Sequence, residues 1–87
     1  MNNNGGRRKT TMSHTLTINN IEKLSNGNYN VSIEGYDALQ NRHFSDLITV
    51  QDGSFFRGNV INPKLQPLSN GCIALIKTEI MKLIKEL

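Results

Sequence analysis

The sequence predicts a small α+β unit, an antiparallel sheet of three or four strands packed against one C-terminal amphipathic helix. Three observations predict it. Apolar and polar side chains alternate on both sides of an Asn26-Gly27 pair. A second alternating run occupies residues 44–50. Residues 72–87 instead repeat their apolar side chains every three or four positions, which is the period of a helix with one buried stripe.

The first strand is read from Leu16, Ile18 and Asn20 alternating with Thr15, Thr17 and Asn19. Ile21 and Leu24 break that alternation, so a bulge or the strand end falls near Asn20. Asn26-Gly27 supplies the positive φ angles of a tight hairpin turn. Beyond it Tyr29, Val31 and Ile33 share one face and Asn30, Ser32 and Glu34 the other, a hairpin with one side on a core. Residues 37–41 read as a loop. In the third strand Phe44, Ile48 and Val50 face one way; Asp46 falls among them, and Leu47 points oppositely, which suggests partial cover on the second face. Asp52-Gly53-Ser54 reads as a turn. Phe55, Phe56, Val60 and Ile61 form a short fourth strand broken by Gly58. Residues 62–67 hold both prolines, Pro63 and Pro67, and connect in extended form. Cys72, Ile73, Ile76, Ile80, Leu83, Ile84 and Leu87 then fall on one helical stripe about 120° wide, with Ser69 or Asn70 as N-cap. Leu75 and Met81 lie off the stripe.

The chain of 87 residues has ten Lys and Arg against seven Asp and Glu, a net +3. Arg7, Arg8 and Lys9 carry all of that excess, because from residue 12 onward the charges balance. Residues 1–13 therefore read as a disordered basic tail, too polar to offset the entropy of ordering. Met12 offers a second start. Residues 14–87 read as one small α+β domain. No apolar run is long enough to span a bilayer and no secretory leader is visible, so the expected location is cytoplasmic.

Candidate chemistry is sparse. Cys72 is the sole cysteine, which excludes an internal disulfide; set in the apolar stripe, it reads as a small hydrophobe. His14 and His43 lack metal-ligand spacing with the scattered acids. Asp37, Asp46 and Asp52 read as structural, and Gly53 and Gly58 form no phosphate loop. The expectation is no catalytic residue, no metal and no cofactor. Phe55 and Phe56 read as core filling. The first functional reading is a small non-enzymatic protein–protein interaction module, on compositional grounds an accessory or inhibitory protein of a phage or mobile element. It would bind a partner or itself, as a homodimer, through a sheet edge or through Leu75 and Met81. The alternative is a nucleic-acid-binding module that uses the polar sheet face, Arg42 and Arg57, with Arg7, Arg8 and Lys9 as an arm.

Overall fold

The computed structural model describes residues 13–25 and 27–87. The expected basic tail, Met12 and the turn residue Asn26 lie outside the described residues, Ser13 apart. Four strands, β1 (Thr15–Lys23), β2 (Tyr29–Asp37), β3 (Arg42–Gln51) and β4 (Phe55–Arg57), precede a 3-10 turn at Asn59–Ile61 and one helix, α1 (Asn70–Lys85). The strands form an antiparallel meander in chain order, β1-β2-β3-β4.

Alternation along the strands builds the core. Tyr29, Val31 and Ile33 of β2 and Phe44, Ile48 and Val50 of β3 are buried with Cys72, Ile76 and Ile80 of α1, and Val60 and Leu68 close the layer. Each buried aliphatic side chain there contributes about 1.5–3 kcal/mol of transfer free energy. The opposite sheet face has no such cover: Leu47 is 51% exposed and Phe55 60%. The partial cover expected from Leu47 is absent among the described residues. Phe55 is likewise not core filling, because its position opposite Gln51 puts it on the outer face; only Phe56, opposite Val50, packs against the core.

Near Asn20 the chain bulges rather than ends. Ile18 pairs with Ile33 and Asn20 with Ser32, leaving Asn19 as the extra residue. One inserted residue exchanges the two faces of the following stretch, so Ile21 returns to the inner side opposite Val31. The break in sequence alternation is thus the device that keeps β1 facing the core. Gly27 takes φ 76° in the first hairpin turn, and Asp52 (φ 55°) and Gly53 (φ 77°) take left-handed angles in the third. The two turns meet at one end of the sheet, where Gly53 N–H donates to Gly27 O at 2.9 Å.

Asp46 explains its own inward position. Its Oδ2 accepts from Val60 N–H at 3.0 Å and its Oδ1 from Leu47 N–H at 2.8 Å, anchoring the 3-10 turn to β3. Val60 and Ile61 therefore leave the fourth strand, which stops at Arg57. The helix ends at Lys85, before the apolar stripe does, and Leu87 is 60% exposed.

Gly35 lies opposite Phe44. A Cβ at Gly35 would strike Thr15 O and approach Phe44 Cζ to 2.7 Å, so the absent side chain is what lets the phenylalanine ring lie across β2. Gly35→Ala is expected to destabilise the fold by about 2 kcal/mol, lowering the midpoint of a thermal melt by roughly 10 °C at this chain length. An unchanged midpoint would contradict that close approach.

Candidate functional site

The described residues gather polar chemistry at one place, where β2 ends and α1 begins. Asp37 is the last residue of β2 and is wholly buried, not part of an open loop. Its inward position follows from the same alternation that buries Tyr29, Val31 and Ile33. Oδ1 accepts from Leu39 N–H and Gln40 N–H, each at 3.0 Å, the local turn an aspartate favours. Oδ2 accepts from Ser69 N–H at 2.7 Å, and the Ser69 hydroxyl donates to the same carboxylate at 2.8 Å. Ser69 holds the N-cap position of α1, yet its side chain makes no cap hydrogen bond; the hydroxyl is spent on Asp37 instead. Burial works to raise the Asp37 carboxyl pKa, and the hydrogen bonds from Ser69, Gln40 and Leu39 outweigh it, so the pKa is held below the ordinary value of an aspartate.

His14 and Cys72 complete the cluster. One ligand-type atom from each of His14, Asp37 and Cys72 lies within 4.8 Å of the others. Within the chain the polar atoms of this cluster are taken up by one another and by nearby main chain. The two carboxylate oxygens of Asp37 already accept four N–H or O–H groups, which fills their lone pairs. His14 Nδ1 accepts from Ala38 N–H at 3.0 Å, which leaves the ring proton on Nε2. Burial, aided by the Asp37 charge, pushes the Cys72 thiol up to about 11, so it stays protonated and non-nucleophilic at neutral pH. These groups tie together the entry to β1, the end of β2 and the start of α1.

The second feature is a groove between β1 and α1. It is lined by Leu16 and Ile18 from the strand and by Glu79, Lys82, Leu83 and Glu86 from the helix. The inward apolar side chains of β2 and β3 are buried, whereas Leu16, Ile18 and Ile21 remain half-buried. The helix runs close to β1, yet Leu16 and Ile18 stay partly in water between the two elements. The sequence showed the apolar stripe and the strand separately; which strand the stripe undercovers depends on where the helix is laid down.

The residues singled out from the sequence fall in different places. Arg7, Arg8 and Lys9 lie outside the described residues. Arg42 donates to Gln66 O at 2.8 Å and to Gln40 Oε1 at 3.3 Å, holding the connection before α1. Arg57 is exposed beside Thr49 on the outer sheet face, where Glu22 and Glu34 also lie. Leu75 and Met81 are both half-buried but sit about 120° apart around the helix. Leu75 shares a flank with Glu79 and Lys82, beside the groove. Met81 shares the other flank with Lys77 and Lys85, on the side where Lys77 Nζ stands 5.9 Å from the Phe56 ring. Among the described residues no helix is long and apolar enough to cross a membrane.

Comparison with known proteins finds no matching family model, curated protein or solved structure.

Because the folded pKa of Asp37 lies below its unfolded value, this carboxylate stabilises the fold above about pH 4, and that contribution disappears as pH falls through the lower folded value. Asp37→Asn is expected to cost about 1–3 kcal/mol near neutrality and to flatten the loss of stability on acidification, measured by chemical denaturation from pH 7 to 2; an equally steep acid limb would place the sensitivity elsewhere. Cys72 is expected to react with a disulfide reagent only as fast as the chain unfolds. Rapid labelling of the folded protein would show a thiol less enclosed than described.

Proposed function

We propose that this chain is a small, non-enzymatic protein-interaction module that receives a protein partner in the groove between β1 and α1. The half-buried state of Leu16, Ile18 and Ile21 carries the reading. At this edge of the sheet apolar side chains stay in partial contact with water. Beside them run Leu83 and a rim of Glu79, Lys82 and Glu86. An apolar floor inside a charged rim is the usual anatomy of a protein interface. A cytoplasmic accessory or inhibitory protein of a phage or mobile element belongs to the same proposal, and one buried, unpaired cysteine suits a reducing compartment.

Charge weighs against the nucleic-acid reading. A surface that tracks phosphates needs several aligned cations. The outer sheet face instead carries Glu22 and Glu34 as well as Arg57, and Arg42 is engaged with the main chain of Gln66.

Leu83→Glu tests the reading by placing a carboxylate on the groove floor. In chemical cross-linking with mass-spectrometric mapping from a host extract, the wild-type chain is expected to give nuclease-resistant protein cross-links around residues 16–21 and 79–86. Those links should fall at least tenfold in the variant. Glu86→Arg, on the exposed rim, provides a second variant that leaves the core untouched. Cross-links indifferent to both substitutions, or capture abolished by nuclease, would reject the groove as a protein site.

A further inference from the structure

Resting on that reading, we infer that the occupant of the groove is a second copy of this chain, so that two α1 helices cross antiparallel and each covers the other's Leu16 and Ile18.

Two observations choose this occupant. The first is the bulge at Asn19. It divides the free edge of β1 into two short stretches, residues 15–18 and 20–23, and a bulged edge resists the addition of an extended strand. The occupant therefore offers side chains rather than a continuous backbone ladder, and an amphipathic helix does so. The second is the sign pattern on the groove's helical wall. A two-fold interface must complement itself, residue i meeting j while j meets i. Glu79 and Lys82 stand one turn apart on the flank beside the groove, and within one chain they pair at 3.1 Å, Lys82 mostly and Glu79 partly in solvent. Such an exposed pair contributes little by itself. An antiparallel crossing midway between them sets each Glu79 against Lys82 of the second copy, twice over, in a contact that excludes water.

The opposite flank cannot pair with itself in this way. Lys77 and Lys85 flank Met81 there, so two copies would bring like charges together. On the groove side, Leu75 lies one turn before Glu79, half-buried, and supplies an apolar knob at each end of the crossing. A chain of this size buries only about 60% of its unfolded surface alone, and two copies joined here would remove the exposed parts of Leu16, Ile18 and Leu83 from water in both. The dimer uses the Leu75 flank and leaves Met81 outside.

Sedimentation equilibrium of the full chain reads the outcome. The wild-type protein is expected at twice its 9.8 kDa mass, and Leu83→Glu at the single mass. Glu79→Lys and Lys82→Glu, each alone, should raise the dissociation constant roughly tenfold by opposing like charges across the two-fold. An equimolar mixture of these two variants should recover the wild-type association, because in the mixed pair both contacts across the two-fold again set a lysine against a glutamate. Repair of an intrachain pair cannot produce that recovery on mixing. A dimer that ignores Leu83→Glu and gains nothing on mixing would overturn the inference. A monomeric wild type would overturn it too; if groove-dependent cross-links to another protein persist, the interaction module survives without self-pairing, and if they are absent both readings fall.

Discussion

One carboxylate holds the architecture together. Asp37 sits wholly out of water and ionised, a state a protein sustains only when the charge is met by hydrogen bonds. Its donors come from two directions: the turn that follows β2 supplies Leu39 and Gln40, and the residue that opens α1 supplies Ser69. The hydrogen bonds from Ser69 to Asp37 locate the start of α1 at the end of β2, and its apolar stripe lays the rest of the helix on the sheet. Cys72, Ile76 and Ile80 then fall on the inner faces of β2 and β3 as a consequence of helical period rather than of separate choices.

The same placement creates the uneven coverage on which the functional reading rests. A helix anchored at the end of β2 buries the inward apolar side chains of the two middle strands. At the β4 side the 3-10 turn, fastened by Asp46, fills the gap with Val60. Beside β1 stands the helix itself, which leaves Leu16 and Ile18 half-buried. The asymmetry belongs to topology: the connection from β4 to the helix can wrap one edge of the sheet but not both.

Much of the fold could be read from period alone. The two-residue repeat of Tyr29, Val31 and Ile33 and the helical repeat from Cys72 to Ile84 identify β2 and α1, and the Asn20 irregularity marks the bulge. Where the reading missed, the cause was a polar atom with a distant partner. Asp37 looked like the first residue of a loop because its strand position appears only when the alternation is carried two residues past Gly35. Asp46 looked like a flaw in β3 because its reason, the Val60 amide, lies fourteen residues on. The neighbours Phe55 and Phe56 could not be told apart by composition; register against Val50 and Gln51 decides which one is covered. The groove was legible least of all. Its walls are ordinary amphipathic positions, and only the relative placement of strand and helix turns them into a surface.

Every strand pairs with its neighbour in the chain, whereas the link between Asp37 and Ser69 spans thirty-two residues. Successive hairpins can zip as they are synthesised, yet the lid of the core is made only afterwards. Until it closes, Val31, Ile33, Ile48 and Val50 form an unroofed greasy sheet on the nascent chain, bordered by a free strand, the kind of intermediate that sticks to its neighbours. The polar knot at the helix start thus also governs how long the growing polypeptide stays in its most vulnerable form.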